Sequence, residues 1–253
     1  MSKTVIVSIH GILTGRSDED TWQENFDSWL AYNKPRIDHE PFVYGWLGPI
    51  NSWLAKTFDW ISDTFKVPRW TRRTRIENFK KFLLWVIYEH GDDAHIHIMA
   101  HSFGTFIVTE ALKELETKLT DYSVCSVNLI GGIISSKIET NGYARLLDNR
   151  TIGTFHNWSS YYDRVVRYMA RWPFGHIGYW GIIRPKALED RSRPLRKPYK
   201  KYRAFNNHRE HRHNGYFTEG AIFYPEFLKN IKEAEKWEDT LRKKENEKEN
   251  EAS

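Results

Sequence analysis

The sequence predicts an α/β protein built on a doubly wound, mostly parallel sheet. Short β-branched apolar runs, such as Thr4 to Ile9 (TVIVSI) and Ala94 to Ala100 (AHIHIMA), have the composition of strands buried on both faces. Between them apolar residues recur at helical spacing, as Trp22, Phe26, Trp29 and Leu30 do. A chain of 253 residues that is 40% hydrophobic has enough apolar surface for a core without disulfides. Strands that alternate with helices pair in parallel and carry the helices on both sheet faces.

Taken in order, Thr4 to Ile9 forms the first strand and delivers the His10-Gly11 turn. Asp20 is a candidate N-cap for the helix that carries Trp22 to Leu30, and Pro35 stops it. Pro41 to Trp46 (PFVYGW) reads as a second strand, followed by an aromatic helical piece over Ile50 to Phe65 and the basic run PRWTRRTR. A long amphipathic helix is expected from Ile76 to about Glu89, ending at Gly91. The strand Ala94 to Ala100 turns sharply at His101-Ser102-Phe103-Gly104 into a helix reaching about Leu119. Val124 to Ile134 and Thr154 to Ser160 are the next two strands, and a loop with Asp163 leads into another helix. A last strand over Tyr202 to Asn206 and a helix over Pro225 to Trp237 complete the domain. The expected organisation is one domain over residues 1–232, with lid-like insertions near 47–75 and 170–203, and a charged helix or tail over 233–253.

Composition excludes several classes. No apolar run approaches the ~18 residues that a membrane-spanning helix needs. The opening MSKTVIVSIHG enters a strand at once, which predicts a cytoplasmic protein without a signal peptide. The one cysteine, Cys125, excludes an internal disulfide and a multi-cysteine zinc site, and it reads as a small core residue. No Gly-rich phosphate loop occurs, so no cofactor is expected. The net charge of +5 is regional: Arg164 to His213 holds 14 Lys or Arg against three acids, whereas Glu233 to Ser253 holds eight acids against five bases. The basic region suits an anionic substrate or surface, or is simply a solvated loop. The acidic stretch reads as a solvated helix fraying into a tail.

The motif that carries chemistry is Ala100-His101-Ser102-Phe103-Gly104, small-x-Ser-x-Gly between an apolar strand and a helix. Such a turn projects the serine hydroxyl above the sheet edge, and small residues at 100 and 104 let strand and helix approach each other. A serine nucleophile also needs a base, an acid that orients the base, and an oxyanion hole. His10-Gly11-Ile12 follows the first strand. It offers the amide of Ile12, which with that of Phe103 would hold an oxyanion, while His10 and Gly11 support the loop. For the acid, Asp163 past the fifth strand fits better than Asp148 or Asp190, though it is also placed to N-cap a helix. For the base, His213 precedes a turn and the final helix, with His211 and His208 as alternatives. His95, His97 and His101 form an H-x-H-x-x-x-H run beside Asp92 and Asp93. His95 and His97 share a strand face, but the serine elbow already accounts for the segment, and no metal is expected in the reaction.

On the loop His10-Gly11-Ile12, the elbow AHSFG, the stretch Asn157 to Asp163 and the stretch His213 to Phe217, the chain resembles the α/β-hydrolase superfamily, in particular its compact esterase- and lipase-like members. The resemblance covers about residues 3–232 and implies a minimal α/β-hydrolase fold with Ser102, Asp163 and His213 as the triad. The activity it implies is a cofactor-independent serine hydrolase acting on a small-molecule or lipid-like carboxylic ester. The aromatic and basic insertions, with Trp53, Phe58, Trp60, Trp172, Trp180 and Arg69, Arg72, Arg171 and Arg184, favour an apolar acyl group, on an anionic surface if the arginines serve binding. The alternative is a non-catalytic protein of this fold that binds an anionic surface or nucleic acid through its basic region. The complete Ser, Asp and His set speaks against it, so no nucleic acid is expected.

Overall fold

In the computed structural model the described residues are 3–11, 22–42, 69–91, 93–119, 123–137, 141–169, 174–180, 182, 204–208, 215–218 and 220–252. They form a six-stranded sheet in the order β2-β1-β3-β4-β5-β6, with every neighbouring pair parallel. The strands are β1 (Thr4–Ile9), β2 (Ile37–Phe42), β3 (His95–His101), β4 (Val124–Ile130), β5 (Ile152–Ser159) and β6 (Ala204–His208). Between and after them run α1 (Trp22–Asn33), α2 (Arg69–His90), α3 (Phe103–Leu115), α4 (Tyr143–Asp148), α5 (Arg164–Met169), α6 (Ile177–Trp180), α7 (Gly215–Thr218) and α8 (Gly220–Ala252).

Two cores sandwich the sheet. On one face Val5, Val7, Ile9, Ile96, Ile98, Val127 and Leu129 meet Phe79 and Leu83 of α2 and Ile107, Val108 and Leu112 of α3. On the other, Ile6, Met99, Ile130 and Trp158 meet Phe26 and Leu30 of α1 and Phe227 and Ile231 of α8. Each fully buried large apolar side chain contributes ~1.5–3 kcal/mol. The period-2 split of β1 and β3 between the two cores fixes their register.

Several boundaries differ from the sequence expectation. The second strand is Ile37–Phe42 (IDHEPF) rather than 41–46; its residues are mostly half-exposed, and as an edge strand it tolerates Pro41 and needs no continuous apolar run. Residues 69–75, assigned above to an insertion, open α2 instead, with Arg75 and Ile76 already buried. The helix after the elbow stops at Leu115 and the fourth strand at Ile130. The C-terminal segment is helical, one of its two expected forms, and differs in its solvation. One helix runs unbroken over Gly220–Ala252, and the charged segment is not uniformly solvated, because Ala234 and Glu238 lie fully buried against the sheet. The remaining residues of the two expected insertions lie outside the described set, apart from 174–180 and 182. These include α6, whose Ile177 and Tyr179 are buried.

Candidate active site

Parallel pairing aligns the carboxyl ends of all six strands along one sheet edge, and the turns from β1, β3 and β5 emerge there. Ser102 occupies the single residue between β3 and α3, with φ 52° and ψ −120°. An L-residue in that conformation costs ~1–3 kcal/mol and persists only where its surroundings impose it. Here the turn is held from several sides. The Ser102 amide donates to the Ile130 carbonyl at 3.0 Å, and the Ser102 carbonyl accepts from the Thr105 amide at 3.0 Å and the Thr105 hydroxyl at 2.6 Å. Thr105 Oγ1 accepts in turn from the Ile133 amide at 3.1 Å, which ties the elbow to the turn after β4.

Two glycines let the β1 turn and the elbow touch. A Cβ on Gly11 would lie 2.7 Å from Ser102 Cβ and 3.2 Å from Ser102 Oγ. On Gly104 it would lie 2.9 Å from both the Ile9 and His10 carbonyl oxygens. The small residue at 104 is therefore required by the approach of α3 to β1. Phe103 begins the 13-residue α3, so its amide is one of those left without an intrahelical acceptor at a helix N-terminus, beside the Ser102 side chain.

His10 is buried, and its Nδ1–H donates to the Gly11 carbonyl. Burial lowers the pKa of its imidazole; the Gly11 hydrogen bond opposes this and the Arg75 charge adds to it, so His10 is a neutral strut for the loop. Arg75 was not singled out by the sequence. It reaches from α2 with its guanidinium 5.6 Å from the centroid of the Phe103 ring. Phe174 was also missed. It packs edge-on against Phe103 and Phe106, with centroids 5.9 and 5.1 Å away, and gives the elbow an apolar flank. Both come from segments without apolar periodicity, RWTRRTR and RWPFG, which carry no local sign of their contacts.

Asp163 lies past the end of β5, fully buried, two strands from the β3 elbow on the same sheet edge. Its Oδ1 accepts from the Val166 amide at 2.9 Å, so it caps α5, the structural role the sequence had offered as the alternative to catalysis. Ile12, His211 and His213 lie outside the described residues, as do Trp53, Phe58, Trp60, Trp172, Arg171 and Arg184. His208 is the last residue of β6, and Asp148 ends α4 before β5, at the opposite sheet edge from Ser102. His101 ends β3 buried and sets its ring edge-on to Phe217, 5.0 Å between centroids.

A second polar cluster lies at the amino-terminal end of the strands. His95 and His97 share the β3 face turned to α8, as the alternating pattern predicts. His97 Nε2 is 3.4 Å from Glu235 Oε1, and its Nδ1 is hydrogen-bonded to Ser126 Oγ at 2.8 Å. His95 Nδ1 is 3.4 Å from Glu238 Oε2, and its Nε2 is 3.3 Å from Asp239 Oδ1. The described cluster lies at the far edge of the sheet from Ser102.

The parallel six-stranded sheet and the strained strand-to-helix serine at its carboxyl edge define an α/β-hydrolase fold. No protein-family model matches the chain, and no curated protein matches it in sequence. Solved structures do match in fold. The chain is similar to a C6-C4 SN3 inhibited esterase B from Lactobacillus rhamnosis over 96% of its own length and 80% of the other's, with a TM-score of 0.54 and 11% identity. A second structure of esterase B from Lactobacillus rhamnosis gives a TM-score of 0.53 at 11% identity, covering 96% and 79% of the two chains. A thioesterase from the prodiginine biosynthetic pathway in Streptomyces coelicolor matches with a TM-score of 0.41, at 11% identity over 83% and 78%.

Proposed function

We propose that the protein is a serine hydrolase that cleaves a carboxylic ester through an acyl-enzyme. The observation that carries this reading is Ser102 at φ 52°, φ in the left-handed range, with Gly11 pressed against its side chain. A fold has no structural need for a serine there, since glycine would adopt the same backbone without strain. The esterase B structures that share the fold agree with the reading.

In this mechanism Ser102 Oγ attacks the ester carbonyl carbon as His213 takes its proton, and the Asp163 carboxylate orients the imidazole and stabilises its cation. The oxyanion accepts hydrogen bonds from the amides of Ile12 and Phe103, the latter at the positive end of α3. His213 then protonates the leaving alcohol, and a water activated by the same imidazole releases the acid. The flank formed by Phe103, Phe106 and Phe174 favours an apolar acyl group. Labelling with an active-site fluorophosphonate tests the reading. Covalent modification of Ser102 that is lost in Ser102→Ala is expected; a wild-type chain inert to the probe overturns it.

A further inference from the structure

We infer that His95, Cys125 and Glu238 form a binding site for a zinc-type divalent cation that fastens α8 to the sheet, at the edge remote from Ser102. One imidazole nitrogen, the cysteine sulfur and one carboxylate oxygen lie within 4.8 Å of one another, and all three residues are buried. Metal–ligand bonds of ~2.0–2.3 Å in a tetrahedron place ligand atoms roughly 3.3–3.8 Å apart. The 3.4 Å from His95 Nδ1 to Glu238 Oε2 matches that edge. The thiol and imidazole donors select a borderline cation over magnesium or calcium.

The surrounding groups orient the donors as metal sites require. His95 Nε2 faces the Asp239 carboxylate at 3.3 Å, so that with a cation on Nδ1 the Nε2–H would keep an acceptor. Glu238 Oε1 accepts from Arg242 Nε at 2.9 Å and Nη2 at 2.6 Å, leaving Oε2 for the cation. Asp239 is 62% exposed at its side chain and marks the route from solvent.

Cys125 lies where β4 departs from strict side-chain alternation. Strict alternation would put Val124 and Val127 on opposite faces, yet both join the core under α2 and α3, and Ile152 and Phe155 do the same on β5. The break falls at Cys125 and Gly153, between the pairs Val124↔Ile152 and Ser126↔Thr154, and leaves the register of the two strands unchanged. Gly153 accommodates it: a Cβ there would lie 2.6 Å from the Cys125 carbonyl oxygen and 3.4 Å from Trp237 of α8.

On binding, the Cys125 S–H bond is exchanged for a sulfur–metal bond and its proton leaves to solvent; Glu238 enters as carboxylate, and His95 enters neutral, releasing a proton wherever it was charged. Three protein donors leave one tetrahedral position for water. The test uses the full chain freed of metal by chelator, titrated with Co2+ alone and then with Zn2+. Because the chain has one cysteine, a thiolate-to-cobalt charge-transfer band identifies Cys125 as ligand without any variant. The expected result is that band, saturating at one equivalent, bleached by one equivalent of Zn2+ and missing in Cys125→Ser. No band at one equivalent, or Co2+ affinity unchanged in Cys125→Ser, overturns the site. Should Cys125→Ser fail to fold, the wild-type band alone decides, and none of these readouts depends on Ser102.

Discussion

Gly11→Ala adds one methyl group at the closest approach in the site. The new Cβ would lie 2.7 Å from Ser102 Cβ and 3.2 Å from Ser102 Oγ. The first distance is shorter than side-chain carbons adopt, and the atom it meets belongs to a turn held by four hydrogen bonds, so strand and elbow must separate. Overpacking of this kind costs ~1–3 kcal/mol. For a domain of this length each kcal/mol lowers Tm by about 2–4 °C, so the expected fall is roughly 2–12 °C. Because the displaced atoms include Oγ, fluorophosphonate labelling should slow as well. Gly91→Ala is the control: Gly91 has φ +78° with nothing near its Cβ position, so alanine costs ~1–2 kcal/mol of backbone strain and leaves labelling unchanged. The assay pairs scanning calorimetry with labelling kinetics on both variants. Wild-type Tm and labelling rate in Gly11→Ala would refute the contact between the β1 turn and the elbow.

Ser102→Gly removes the nucleophile and the strain together, so it should lose labelling yet unfold no earlier than wild type; a Tm drop of several degrees would show that the serine side chain, not its backbone, holds the turn. Burial holds the His39 imidazole below its ordinary pKa of 6.5 against the upward pull of Asp27 and Glu40, so the unfolded chain binds more protons and stability falls as pH drops below about 6.5. His39→Gln should flatten that slope in urea titrations between pH 7 and 5, and an unchanged slope would count against it. Deleting residues 233–253, a solvated helix and tail by composition, should destabilise the domain by about 3 kcal/mol or more, because Ala234, Glu238 and the Trp237 contact with Gly153 are lost; a truncated chain with wild-type Tm would contradict the packing of α8.

What the sequence made legible follows from how strongly each element is determined locally. β1 and β3 are apolar runs buried on both sides, and the elbow between β3 and α3 needs small residues that the eye can find at Ala100 and Gly104. β2 was displaced because IDHEPF sits at an exposed edge, where neither alternation nor β-branching is demanded. The start of α2 was hidden by RWTRRTR, whose charges mask a helical turn in which Arg75 is already buried, just before the buried Ile76. Glu238 was the hardest to read. Its burial depends on partners over a hundred residues away on β3 and β4, and a segment so rich in Glu and Lys carries no local sign of a buried face. His95-x-His97 was readable as a shared face, but the turn of Cys125 toward it depends on a break in strand alternation that composition does not encode.

The central claim is that Ser102 is an activated nucleophile, and the measurement that meets it most directly is peptide mapping after reaction with a fluorophosphonate. The account predicts a single modified peptide containing Ser102, formed in the native chain, lost after unfolding and absent from Ser102→Ala. Modification elsewhere with Ser102 untouched, or labelling that persists in Ser102→Ala, would contradict it.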